Sequence, residues 1–166
     1  MYRVGILTIS DKGSRGERED LSGPEIKRII EENGYETAFM HIVPDEKEEI
    51  MREMIEACDK NLCDLFLTTG GTGFAERDVT PEATAEVGEK LVPGIPEAMR
   101  AYSMTVTPRG MLSRGTCVIR KKTLILNLPG SVKSVRENLE YVIGSLGHGL
   151  DILTGNDAEC GSPHKH

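Results

Sequence analysis

At 166 residues the chain has the length of one domain with a full core. Hydrophobic residues at 38% and charged residues at 28% describe a globular protein, and a formal charge of −7 argues against general attraction to nucleic acid or an anionic membrane surface. Aromatic residues at 4%, with no tryptophan, leave little to stack on single-stranded bases.

No apolar run is long enough to span a bilayer, and strand-like sequence begins at Tyr2. Neither a membrane segment nor a signal peptide is therefore expected, and the cytoplasm is the expected compartment. The four cysteines, Cys58, Cys63, Cys117 and Cys160, form no C-x-x-C pair, and Cys58 and Cys63 read as small buried hydrophobes. Cys160, His164 and His166 are spaced for a metal, but Gly161-Ser162-Pro163 between them fixes no geometry, so residues 156–166 read as a disordered tail behind a single domain of residues 1–155.

Tyr2 to Ser10 is nearly continuously apolar, the pattern of a strand buried on both faces of a parallel sheet. Asp11 to Asp20 is polar and reads as a mobile loop. Ser22-Gly23-Pro24-Glu25 fits a capping box, opening a helix that carries Ile26, Ile29 and Ile30 and ends at Asn33-Gly34. Tyr35 to Val43 predicts a second strand containing His41, read as a core-strand histidine with a satisfied ring. Asp45 then serves as N-cap of a helix with Ile50, Met51, Met54, Ile55 and Cys58 on one face. Asp64 to Thr68 is the third strand. Thr80-Pro81-Glu82 opens a short helix, Leu91 to Pro96 interrupts it, and Glu97 to Met104 resumes helix. Thr116 to Ile119 and Thr123 to Leu128 are strands joined by Arg120-Lys121-Lys122, a turn short enough to require an antiparallel pair. A helix from Val132 to Leu153 closes the chain. The class is α/β: a three-layer sandwich with a mostly parallel central sheet and an antiparallel edge.

The stretch with most chemical content is Thr69-Gly70-Gly71-Thr72-Gly73, followed by Asp78. Three glycines in four residues free the backbone N–H groups and permit positive φ, as in a loop that wraps an anion. It is neither a Walker A loop, since no lysine lies between Lys60 and Lys90, nor a G-x-G-x-x-G fingerprint, since Glu76 stands at the third glycine. A carboxylate beside a phosphate is repulsive unless a divalent cation lies between them, and Mg²⁺ is held by one or two carboxylates plus substrate phosphates. Loops after parallel strands share one sheet edge, so Ser10, Asp45 and Asp78 can converge, joined by Asn127-Leu128-Pro129-Gly130-Ser131 if its strand is parallel to the others. Arg114, after Ser113, has the fork to grip a phosphate. Against these stand plainer roles: Asp45 and Ser131 as helix caps, Asp78 as a turn residue, Arg114 as a surface arginine, and Lys12, Arg15 and Arg18 as a solvated charge run. With no nucleophile beside a histidine, the equipment suits phosphoryl or nucleotidyl transfer by positioning and charge neutralisation.

Five blocks in order, Thr8-Ile9-Ser10-Asp11, Val43-Pro44-Asp45-Glu46, Thr69 to Thr84, Leu112-Ser113-Arg114 and Asn127 to Ser131, resemble the signature of the MoaB/Mog family of molybdenum-cofactor biosynthesis proteins. Val118-Ile119-Arg120-Lys121 and Pro129 to Ser134 resemble its molybdopterin adenylyltransferase type. That resemblance implies transfer of AMP from ATP to the terminal phosphate of molybdopterin with release of pyrophosphate. It further implies Mg²⁺, a homotrimer and a molybdate-inserting protein as partner. It makes Asp45 and Asp78 the essential carboxylates, puts Gly70 to Gly73 and Asn127 to Ser131 along the nucleotide, and puts Ser10 toward the pterin phosphate. A pterin-binding carrier or a trimeric scaffold of the same family are the alternatives.

Overall fold

The structure is a computed structural model and describes residues 1–156. The strands are β1 (Arg3–Ile9), β2 (Glu36–Val43), β3 (Leu65–Thr69), β4 (Lys90–Leu91), β5 (Cys117–Arg120) and β6 (Thr123–Leu128). The helices are α1 (Asp11–Ser14), α2 (Ser22–Glu32), α3 (Lys47–Asp59), α4 (Thr80–Val87), α5 (Gly94–Val106) and α6 (Val132–Thr154), with a 3-10 turn at Pro108–Leu112. The strands form one sheet in the order β2-β1-β3-β6-β5-β4, parallel from β2 to β6 and antiparallel at β5 and β4.

Both faces of the sheet are covered, as the unbroken apolar runs require: every residue of β3 and β6 is buried. Side chains alternate along each strand. Leu65 and Leu67 face the layer of α2 and α6, where Ile26, Ile29, Ile30, Val135, Leu139 and Leu146 meet them. Phe66, Leu7 and Ile125 face α3 and α4, against Ile50, Met54, Ala83 and Val87. Truncating Phe66, which is wholly buried, would cost ~3–5 kcal/mol, a large share of the ~5–15 kcal/mol that holds a domain together.

Several local expectations are corrected. The segment after β1 is not all loop: Ser10 caps the single turn of α1 by accepting from the Gly13 N–H at 3.0 Å. The capping box at Ser22 does not form. Asp20 instead accepts from the Ser22 and Gly23 N–H groups, and the Ser22 hydroxyl donates to the Gly130 carbonyl. α5 starts at Gly94, because the first four N–H groups of a helix have no intrahelical acceptor and Pro96 therefore sacrifices nothing there. The two-residue strand β4 (Lys90–Leu91) straddles the start of the segment read as a helix break, Leu91 to Pro96. His41 lies on the edge strand β2 and is exposed, with Nδ1 2.7 Å from Glu53. Cys160, His164 and His166 fall outside the described residues. No described helix is long and apolar enough to cross a membrane.

Cys58, Cys63 and Cys117 are buried, as the sequence suggests, and burial pushes their thiols up to about 11, 12 and 12 respectively. Because the thiolate is the reactive form, a Cys160→Ser variant should show no fast-reacting thiol under native conditions at pH 8. It should show three after unfolding in guanidinium, read by an aromatic disulfide reagent.

Candidate active site

The parallel strands end level. Thr8 of β1 pairs with Thr69 of β3, Ile9 with Val43 of β2, and Thr69 with Leu128 of β6. The segments that follow therefore emerge side by side at the carboxyl edge, the place where open α/β sheets take ligands. Between them lies a hollow of about 580 Å³, lined among others by Ser10, Asp45, Gly70, Gly71, Asp78, Gly130 and Ser131.

The glycine loop is pinned from behind. Thr80, buried at the start of α4, donates its hydroxyl to the Gly70 carbonyl and its N–H to the Gly71 carbonyl. Gly70 has φ +100 and Gly71 φ +68, and a Cβ on Gly70 would stand 2.3 Å from the carbonyl oxygen of Ile9. Only glycine fits there, on grounds of both conformation and space. The Gly70 N–H is given to the Leu128 carbonyl, whereas those of Gly71, Thr72 and Gly73 meet no protein acceptor among the described residues. The free donors of the loop are thus the last three residues of Gly70 to Gly73, of which Gly71 lines the hollow. The Gly130 loop packs close above: a Cβ there would come within 3.4 Å of the Gly70 Cα.

Asp45 is not an N-cap. Glu46 precedes α3 and no side chain caps that helix. Asp45 Oδ2 instead accepts from the Asp11 N–H at 2.9 Å, and Asp11 Oδ1 returns the favour from the Asp45 N–H at 3.0 Å. Asp78 Oδ2 accepts from the Ala75 N–H. The other oxygen of each carboxylate has no protein donor among the described residues, and at Asp45 the neighbouring glycine leaves room for it: a Cβ at Gly71 would sit 3.2 Å from Asp45 Oδ1. Two half-free hard oxygen donors at one hollow suit a cation that completes its shell with phosphate and water.

Charge around the hollow is one-sided. Glu19, Asp20, Asp45 and Asp78 line it, against Arg18 alone. Burial, reinforced by the nearby Asp11 and Asp78 charges, raises the Asp45 carboxyl above the usual range, although the Asp11 N–H pulls the other way. Arg77, gripping Asp11, holds that carboxyl below it.

Most of the other residues singled out in the sequence support the hollow from outside its lining. Arg114 turns its fork to the backbone, donating to the Gly73 and Asp78 carbonyls at 2.8 Å each, and pairs with Glu82. Thr72 is buried, its carbonyl accepting from the Arg114 N–H. Asn127 is buried beneath the glycine loop, bonded to Thr68, Thr84 and the Thr116 N–H. The Pro129 carbonyl accepts from Thr69, and Ser113 faces a small cleft beside α5 with Asn127 and Pro129. Ser131 caps α6, accepting from the Ser134 N–H, while also facing the hollow. Sequence reasoning missed Arg18, Asp20 and Ser22, all in the lining. An Asp two residues before Ser-Gly-Pro was the available signal for Asp20; nothing in the first loop's composition separated Arg18 from its charged neighbours.

Unengaged N–H groups, two half-free carboxylates and flush strand ends give an α/β protein a hollow whose donors suit a phosphorylated ligand. Residues 5–148 match the family described as "Probable molybdopterin binding domain", and the chain belongs to that family. It is 45% identical over 155 residues, 92% of this chain and 88% of the relative, to the molybdopterin adenylyltransferase of Helicobacter pylori (strain J99). To that of Escherichia coli (strain K12) it is 43% identical, covering 84% of this chain and 73% of the relative. The crystal structure of the molybdopterin biosynthesis enzyme MoaB from Thermus thermophilus superposes with a TM-score of 0.89 at 48% identity, over 93% of this chain and 98% of the other.

Two outcomes are expected. Asp45→Asn keeps an acceptor for the Asp11 N–H and removes a charge that folding disfavours, so it should raise the melting temperature at neutral pH. A carboxyl whose folded pKa is raised is destabilising only when ionised. The advantage of the variant should therefore shrink as pH falls through the raised folded value and be gone well below ~3.9, the ordinary carboxyl value, where wild-type Asp45 is protonated in both states; an equal gap at pH ~3 and pH ~7 would contradict this. Gly70→Ala should lower the unfolding free energy read from urea titration by several times the ~0.4–1 kcal/mol gained in a compatible Gly→Ala change.

Proposed function

We propose that the chain is a molybdopterin adenylyltransferase: it transfers AMP from ATP to the terminal phosphate of molybdopterin and releases pyrophosphate. The observation that carries the reading is the convergence of Asp45, Asp78 and the Gly70-Gly71 turn on one hollow, with the unengaged N–H groups of Gly71 to Gly73 in the same loop. This convergence occurs in a chain closely similar over its length to enzymes of that name.

An oxygen of the pterin phosphate attacks the α-phosphorus of ATP, and the bond to the bridging oxygen breaks with its electron pair leaving on pyrophosphate. Such transfers depend on alignment and charge neutralisation rather than covalent catalysis. Gly71 to Gly73 bind and orient phosphate oxygens through backbone N–H groups. The N-terminal end of α6 at Gly130 and Ser131 adds a positive pole beside them. Asp45 and Asp78 would hold Mg²⁺, which when bound supplies positive charge to the phosphates in an otherwise acidic hollow. Ser10, between Gly13 and the hollow, faces the pterin phosphate.

The reading extends to assembly and supply. Met104 and Val106 of α5, Met111 and Leu112 of the 3-10 turn, and Tyr141 of α6 are exposed apolar side chains on elements that pack together, which supports a homotrimer. Substrates such as ATP imply the cytoplasm. The adenylylated product is an activated phosphoanhydride that a molybdate-inserting protein would consume.

With ATP, Mg²⁺ and molybdopterin, wild type should release pyrophosphate, chelation should stop it, and Asp78→Asn should lower kcat by about 10²–10³-fold. Near-wild-type turnover by Asp78→Asn would remove the carboxylate from the mechanism. Pterin binding with no pyrophosphate would make the chain a carrier.

A further inference from the structure

Arg77 does not line the hollow, yet it ties together the loops that build it. It sits on the glycine loop; its Nε and Nη2 meet Asp11 Oδ2 and Oδ1 at 2.6 and 2.9 Å, and Nη2 also reaches Glu46 Oε1 at 2.7 Å. Asp11 follows β1, and Glu46 follows β2. The Asp11 carboxylate held by this fork is the one that accepts the Asp45 N–H, and the Asp11 N–H is the donor that fixes Asp45 Oδ2. Arg77 faces a second, shallower depression with Glu46, Lys47, Glu48 and Glu76, and Asp45 lines both this depression and the hollow.

We propose that Arg77 is a positioning residue that sets Asp45 at the hollow by gripping Asp11 and Glu46 across three loops. The proposal rests on the adenylyltransferase reading only for its activity arm. An exposed ion pair adds little to stability, because solvent screens it and the side chains lose freedom. A forked guanidinium, by contrast, fixes the orientation of a planar carboxylate, and a single ammonium cannot. With Asp11 unheld, the two-way exchange of N–H and carboxylate with Asp45 loses its outer support, and Asp45 no longer rests at one place. The same loss leaves the Asp11 charge unpaired beside Asp45 and Asp78.

The test compares Arg77→Met and Arg77→Lys with wild type and Asp45→Asn. Arg77→Met should melt within about 4 °C of wild type, while amide exchange of the Asp11 and Asp45 N–H groups accelerates and Mn²⁺ binding in the presence of ATP, followed by electron paramagnetic resonance, weakens about 10–100-fold. kcat for pyrophosphate release should fall by a similar factor with KM for ATP and pterin little changed. Arg77→Lys should recover only part of each, and millimolar guanidinium should restore Arg77→Met but not Asp45→Asn. Wild-type amide exchange and Mn²⁺ affinity in Arg77→Met would overturn the proposal, as would a raised KM with unchanged kcat, which marks direct substrate contact. A collapse in melting temperature matching the lost activity would reduce Arg77 to a fold element. Absence of pyrophosphate release by wild type would sink the adenylyltransferase reading instead, and the amide and Mn²⁺ measurements would still decide the role of Arg77.

Discussion

Four parallel strands finishing at the same height is the constraint on which the rest of the molecule hangs. Thr8, Thr69 and Leu128 lie in register across β1, β3 and β6, with Val43 level beside Ile9. A strand advances ~3.3 Å per residue and turns its side chains over at each step. A one-residue slip of β2 would thus both carry Asp45 out of reach of Asp11 and expose Val43, so burial of the core and geometry of the hollow are enforced together.

On that platform the hollow gathers negative charge that a folded chain would ordinarily keep apart. Asp45 bears the cost, its ionised form disfavoured by burial and by its acidic neighbours. Structures give up local stability in this way where a ligand later compensates. Here the free oxygens of Asp45 and Asp78 and the unengaged N–H groups of Gly71 to Gly73 have opposite needs, a cation for the first and an anion for the second. A metal-bound polyphosphate meets both at once.

Most of the architecture was legible because its causes are local. Continuous apolar runs marked strands covered on both faces, and helical spacing of Ile26, Ile29 and Ile30 or of Val135, Leu139 and Leu146 marked the faces turned to the sheet. The glycine loop and Asp78 were legible from composition. What escaped was decided by partners distant in sequence. Asp45 has the right position for an N-cap, but the Asp11 N–H, 34 residues earlier, claims its carboxylate. Arg114 has the right chemistry for a phosphate, but the carbonyls of Gly73 and Asp78 take its fork. His41 follows a strand pattern, and only the strand order reveals that its strand is an edge.

Asn127 has a consequence of its own. One amide beneath the loop receives the Thr116 N–H from the antiparallel side and donates to Thr68 on β3 and Thr84 on α4. α4 in turn begins with Thr80, which tethers Gly70 and Gly71. The far rim of the sheet and the glycine-loop backbone are therefore linked by a short mechanical train, so a push on β5 has a direct route to the hollow.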